Sequence, residues 1–301
     1  MRLTRVSLYS SNLSEAISFS LRYADPEAQY IIRSILGLDA EEIIPKFYGT
    51  SLATKSRYYD FGLKARELVM RIVMNPNFRI DESYSDVRDE LYRAIASTRT
   101  GLVVLHFLSG GTTVSRISGF VTKFEASYFV EVPEVQLTIK CDDPMFRAIN
   151  PVVLDADDLP TANPVILADS LSTAPHGFKM RVEFTASVPS FHIQDKQTSP
   201  EWMFTITPAT AFAARDVLTI SSDFSNKAVY YEKWSSVSPL EPGQELTPEE
   251  QDLLAPVPIL DRIAPTSIWP IMFPGANNFW FPEIASFKWL SLEWYAAYWG
   301  V

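Results

Sequence analysis

Residues able to do chemistry are few and scattered in this 301-residue chain. Its three histidines, His106, His176 and His192, share no metal-binding spacing. His106 sits inside an apolar strand-like run and reads as a structural residue on or near the core. His176, between Pro175 and Gly177, reads as a loop residue. Asp142-Asp143 and Asp155-Ala-Asp-Asp158 carry oxygen ligands for a divalent ion, but no loop of defined ligand spacing accompanies them. A strand end and a solvated linker are the better readings. Gly110-Gly111 and Gly275 lack the spacing of a phosphate cradle, and there is no nucleophile elbow or Ser/His/Asp set. Glu283 and Glu293 are the nearest carboxylates to a glycan-cleaving pair, and nothing in the sequence makes them face one another. We expect no enzyme, no cofactor and no metal.

Aromatic residues offer a different chemistry. Trp269, Phe273, Phe279, Trp280, Phe281, Trp289, Trp294, Tyr295, Tyr298 and Trp299 crowd towards the C-terminus. Such rings could stack on sugars, but their mixture with aliphatics at strand spacing suits a core or a subunit contact. Trp269, Trp280, Trp294 and Trp299 are the candidate interface or glycan-contact residues, with packing or interface ahead of sugar binding.

Composition narrows the class. An apolar fraction of 47% and a charged fraction of 21% are those of a folded protein. No apolar run approaches the roughly 20 residues that span a bilayer, so no membrane partner is expected. The N-terminal Met1-Arg-Leu-Thr-Arg5 lacks the apolar block of a secretory signal, which points to folding in a cytoplasm. The single Cys141 can form no internal disulfide and reads as a small buried hydrophobe. A net charge of −10 argues against a grip on nucleic-acid phosphates.

The elements that would position these residues are mostly strands. Glu134–Cys141 alternates Val135, Leu137, Ile139 and Cys141 with polar residues and stops at Asp142-Asp143-Pro144. Further strands are expected at 57–61, 67–74, 102–107 and 115–121, the last two joined across Gly110-Gly111. A helix is expected at 85–97, with Val87, Leu91, Ala94 and Ile95 on one stripe and Ser83 or Ser85 as its cap. Residues 25–38 fit both a helix, from Asp25-Pro26-Glu27 and Gly37, and a strand, from the β-branched run at 30–36.

The acidic, proline-punctuated segment 150–164 reads as an interdomain connection, giving domains of 1–149 and 150–301. The second domain is a series of short aromatic-rich strands at 177–184, 202–207, 217–221, 228–231, 278–281 and 288–295, as in a β-sandwich. It carries a proline-rich insertion at 235–265. Within that insertion, Thr247-Pro-Glu-Glu-Gln-Asp-Leu-Leu254 has the cap, first-turn proline and capping-box glutamate of a short helix. The fold class is therefore mainly β with a short helix.

Several passages carry a resemblance. They are Tyr30-Ile-Ile-Arg-Ser-Ile-Leu-Gly-Leu38, Ala65-Arg-Glu-Leu-Val-Met-Arg-Ile-Val-Met74, Val87-Arg-Asp-Glu-Leu-Tyr-Arg93, Ser118-Gly-Phe-Val121 and Glu134 to Phe146. In order and spacing they resemble the N-terminal domain of the distal tail protein (Dit) family of long-tailed bacteriophages. Trp269-Pro-Ile-Met-Phe-Pro-Gly-Ala-Asn-Asn278 is similar to that family's late proline-glycine-x-asparagine turn. The resemblance implies a strand at 30–36 and an N-terminal domain that forms a hexameric ring at the distal end of the tail tube. It implies tube protein and baseplate hub as partners, DNA passing through the lumen unbound, and a place in the virion. It also implies a galectin-like C-terminal sandwich to which receptor-binding or fibre proteins attach. The 235–265 insertion departs from the simplest family pattern. The alternative is a carbohydrate-binding adaptor that contacts a host-surface glycan.

Overall fold

The computed structural model describes residues 2–11, 13, 15–22, 25, 28–39, 43–48, 57–75, 84–98, 100–126, 134–169, 171–196, 202–223, 226–238 and 246–300, with backbone alone at 43–48, 57–63, 84–85 and 202. The chain divides into two compact units, residues 1–149 with 298–301, and residues 150–297. Where the sequence placed everything after 150 in one domain, the last four residues belong to the first unit.

The first unit contains β1 (Arg5–Ser10), β2 (Ile17–Ser20), β3 (Tyr30–Leu36), β4 (Ile43–Tyr48), β5 (Arg57–Leu63), β6 (Arg66–Met74), α1 (Tyr84–Thr98), β7 (Val103–Ser109), β8 (Thr112–Ala126), β9 (Glu134–Cys141) and β10 (Phe146–Arg147). Among the described residues, strands in the order β8-β7-β1-β2-β3-β6-β9 close on themselves, because β9 also pairs with β8. Closure removes the open edges that a flat sheet leaves unpaired. It depends on the length of β8, whose first half pairs with β7 and whose second half pairs with β9. Register shifts at Phe107/Leu108 and Val121/Lys123 bend the strand between its partners. At the crossing point a Cβ on Gly119 would lie 2.5 Å from the Lys140 carbonyl oxygen, so only glycine fits.

The barrel is filled by alternate residues. Leu68, Met70, Ile72 and Met74 of β6 and Val135, Leu137, Ile139 and Cys141 of β9 face the core. Residues 30–36 form a strand, antiparallel to β6 and parallel to β2. Tertiary pairing thus settles a segment whose local preferences were divided. Val87, Leu91 and Ile95 of α1 join the same core, and Tyr92 meets Phe124 edge-on at 4.5 Å. Ser83, expected as a cap, lies outside the described residues, as do Pro26 and Glu27. Gly110 and Gly111 turn the β7–β8 hairpin with φ of 57° and 87°. β4 and β5 pair with each other as a separate hairpin.

The second unit contains β11 (Val152–Asp155), β12 (Val165–Asp169), β13 (Lys179–Phe184), β14 (Phe191–Asp195), β15 (Trp202–Ile206), β16 (Val217–Asp223), β17 (Asn226–Glu232), α2 (Pro248–Leu253), β18 (Val257–Pro258), β19 (Gly275–Trp280) and β20 (Phe287–Trp294). Two sheets, β11-β20-β13-β16-β17-β18 and β12-β19-β14-β15, enclose one core. The core is built largely from rings. Phe184 stacks on Phe212 at 4.6 Å, and Phe191, Phe281, Phe287 and Trp289 meet mostly at steep angles.

Two sequence expectations change here. Residues 150–164 are no free connection, since Val152–Asp155 forms an edge strand paired with Ser291–Trp294. The proline-rich insertion also has a structural task. Tyr230 pairs with Pro258 on the six-stranded sheet, while the Thr207 amide donates to Arg262, and the Ala264 and Ile268 amides donate to Thr205 and Met203. The segment therefore covers the edges of both sheets on one side of the sandwich, where prolines without N–H groups are tolerated. α2 forms with the expected capping box between Thr247 and Glu250.

Candidate functional site

His106, His176, His192, Cys141, Asp143, Asp158, Glu283 and Glu293 each have structural neighbours in the fold. The Cys141 thiol is buried, and burial pushes its pKa up to about 12, which keeps it unreactive. Asp143 accepts from Arg147 Nη2 at 2.7 Å and caps the Met145 amide at 3.1 Å. Asp158 accepts from the Asp155 amide within a 3₁₀ turn. No cluster of three metal-ligating side chains exists among the described residues. His106 lies half-buried on the outward side of β7 against the Tyr9 ring, 4.4 Å between centroids. Burial, and then Arg116, hold its pKa below the ordinary imidazole value.

His176 corrects its sequence reading. It is fully buried, bridges to Met272, and places Nε2 2.6 Å from Asp169 Oδ2 and Nδ1 2.8 Å from the Gly177 carbonyl. Asp169 also accepts from the Leu171 and Ser172 amides. Burial pushes the Asp169 carboxyl up, but hydrogen bonds from Ser172 and His176, with the His176 charge, outweigh burial and hold it below the usual carboxylate value.

Glu283 and Glu293 do not face each other. Glu283 accepts from His192 Nδ1 at 2.5 Å and from the His192 amide at 3.1 Å, whereas Glu293 pairs with Lys179 at the far end of β20. From Phe287 to Glu293 that strand rises about 20 Å, too far for two carboxylates to flank one glycosidic bond.

The four candidate tryptophans separate. Trp294 is 4% exposed in the core of the second unit. Trp269 is half-buried with its ring 5.0 Å from Phe204. Trp299 belongs to the first unit, where its carbonyl accepts from Arg66. Trp280 is half-buried on the outward face of its sheet, with Lys196 Nζ lying over its ring 4.5 Å from the centroid.

Two residues to which the sequence reading gave no individual role hold the architecture. Arg66 lies on the apolar side of β6 and is fully buried, with Nε 2.5 Å from the Pro144 carbonyl. Its other nitrogens donate to Gly37, to Asp39 at 2.6 Å and to Trp299 at 2.7 Å, and Phe146 lies under its plane. A charged residue in register with Leu68, Met70 and Ile72 was the available signal. The second is Asn277. Its side chain accepts from the Phe273 amide at 2.7 Å and donates to the carbonyls of Phe273 at 2.8 Å and Gly275 at 3.2 Å. That clasp, with Gly275 at φ 97°, is the physical content of the proline-glycine-x-asparagine turn.

The outer faces of the two sheets differ. Across the six-stranded sheet run the ion pairs Lys179–Glu293, Arg181–Glu232 and Lys288–Glu183. The four-stranded sheet presents Ile166, Asn278, Trp280, Gln194 and Met203, with Ile166 59% and Met203 44% exposed. Exposed Val153 and Tyr230 lie among those ion pairs, so both faces mix polar and apolar groups.

No family model matches the sequence, and no curated protein matches it. Among solved structures, the Dit protein of phage SPP1, described as a paradigm of the hub adsorption apparatus in phages infecting Gram-positive bacteria, covers 97% of this chain with 98% of its own. The two are 12% identical with a TM-score of 0.56. A chain of the phage P2 baseplate in its activated conformation with Ca is 6% identical over 98% of each chain, TM-score 0.42. The SPP1 likeness is one of fold, and it extends through both compact units.

Proposed function

We propose that this chain is a structural component of a bacteriophage tail. It forms a ring, expected to be a hexamer, that joins the distal end of the tail tube to the baseplate hub. The observation that carries the reading is the fold shared with SPP1 Dit across nearly the whole of both chains. The resemblance of the passages at 30–38, 65–74, 87–93, 118–121 and 134–146 points the same way. The engagement of Cys141, Asp143, His176, His192 and Glu293 in contacts within the fold is compatible with a scaffold.

Physical chemistry fits a ring as well. A head-to-tail ring needs two different complementary surfaces on each subunit. The closed barrel hides its own edges, yet leaves Tyr9, Leu36, Leu102 and Phe120 exposed for burial between subunits. A chain with net charge −10 lets DNA pass without holding its phosphates. The second unit, a galectin-like sandwich on this reading, receives receptor-binding or fibre proteins. Assembly takes place in the host cytoplasm, and the mature location is the tail tip of the virion.

The test is the native mass of the purified full chain, alone and with tube protein. A particle close to six times the 34.0 kDa chain is expected. Monomer alone at high concentration, even with tube protein added, would overturn the ring.

A further inference from the structure

We propose that the strip formed by α2, β18 and the start of the turn after it, residues 249–260, docks a basic amphipathic segment of a neighbouring tail protein. The inference rests on the tail reading above and names the partner's chemistry. It starts from the partition of charge. Residues 1–149 with 298–301 carry 18 Lys and Arg against 18 Asp and Glu, whereas residues 150–297 carry 8 against 18. The whole net charge of −10 therefore sits on the second unit. Across its six-stranded sheet, Glu183, Glu232 and Glu293 are matched by Lys288, Arg181 and Lys179. The proline-rich insertion is not matched in this way. From 239 to 261 the sequence has six carboxylates and neither Lys nor Arg.

The same stretch exposes apolar side chains. Leu254 and Ile259 are buried and anchor it, the Ile259 amide donating to the Val229 carbonyl at 3.0 Å. Beside those anchors Leu253, Val257 and Leu260 stand 55%, 53% and 47% exposed. α2 buries none of its six residues. A helix that short is marginal in water, and this one is held by its Thr247–Glu250 capping box and first-turn Pro248 instead of by packing. Glu249 and Asp252 are exposed next to Leu253, and among the described residues neither pairs with a cation. Pro256 and Pro258 have no N–H, and the Ile259 amide is already given to Val229, so β18 offers little to an added strand. Side chains must make the contact. A helix with an apolar face and flanking Lys or Arg meets both features, covering Leu253, Val257 and Leu260 while its cations reach Glu249 and Asp252. A second copy offering its own strip is repelled by like charge, as is a nucleic acid.

The full chain is titrated, by fluorescence anisotropy, into a labelled amphipathic Leu/Lys peptide of about four helical turns, and into the same peptide with Glu for Lys. The Leu/Lys peptide is expected to bind at micromolar concentration, and about tenfold more weakly when salt rises from about 0.05 M to 0.3 M. The Leu/Glu peptide is expected not to bind. Leu253→Ser combined with Val257→Ser should weaken the Leu/Lys peptide about tenfold or more. Glu249→Gln combined with Asp252→Asn should weaken it and flatten the salt dependence. Asp155→Asn combined with Asp157→Asn removes two exposed carboxylates elsewhere in the same unit and should leave affinity unchanged. All these positions are exposed, so native mass and melting temperature are expected to stay at the parent values. No saturation by about 1 mM, equal binding of the Leu/Glu peptide, or an equal loss in the Asp155/Asp157 variant overturns the proposal. A monomeric chain that binds the peptide through this strip upholds it and overturns the ring; a ring that ignores the peptide overturns the strip alone.

Discussion

The guanidinium of Arg66 donates to the main-chain carbonyl of Trp299 at 2.7 Å, from a position that no solvent reaches. The same side chain holds the Gly37, Asp39 and Pro144 carbonyls. One residue of β6 therefore gathers the end of β3, the turn after β9 and the returning C-terminal segment. The return is tight, since a Cβ on Gly300 would lie 2.6 Å from the Leu38 carbonyl oxygen.

Replacing Arg66 tests that junction. Arg66→Ala strips four carbonyls of their donor, that of Pro144 in a fully buried contact, and opens a cavity beside Phe146, and should destabilise the first unit by about 3 kcal/mol. Arg66→Lys keeps the charge but loses the planar fork, and should still cost roughly 2 kcal/mol. Urea unfolding followed on the first unit decides it; a midpoint unchanged in both variants would refute the junction.

Barrel closure makes a second prediction. Gly119→Ala must push β8 away from the Lys140 carbonyl, 2.5 Å from the new methyl position. The cost should be about 2 kcal/mol or more, with faster amide exchange confined to the β8–β9 pairing. Gly111→Ala, at a hairpin position with no atom within 4 Å, should cost only about 1 kcal/mol through its positive φ.

Asn277→Ala removes three bonds within the 273–277 turn and leaves the Phe273 amide without its acceptor. A loss of about 2–3 kcal/mol is expected, measured by thermal unfolding of the second unit. Asn277→Asp keeps the acceptor and loses the donors, so it should fall between the two.

Asp169 sets an acid limb to stability. Its carboxylate is the favoured form in the fold, so its folded pKa lies below the ordinary aspartate value. The stabilisation it contributes is complete above the unfolded-state pKa and disappears as pH falls through the lower folded value. Asp169→Asn should flatten the stability–pH curve on the acid side, below the ordinary aspartate pKa of about 4. An unchanged curve would show that the His176–Asp169 contact carries no linkage.

Local pattern was enough for much of this chain. Alternation located β6 and β9, the apolar stripe located α1, and Thr247 with Glu250 located α2, because each signal is complete within a few neighbouring residues. Strands such as 5–10, 17–20, 152–155, 165–169 and 191–195 went unread, because their own composition is mixed and most of them also pair with a strand far away in the chain. The 30–36 segment was divided between helix and strand until β6 lay beside it. His176 looked like a loop residue because burial is a property of what surrounds a residue. Trp280 could not be distinguished from Trp294 by type or spacing; only the register of β19 against β12 and β14 turned one outward, while β20 turned the other in. The sequence alone determined periodicity and caps, which are one-dimensional, while the tertiary structure decided facing, closure and exposure, which depend on distant strands meeting.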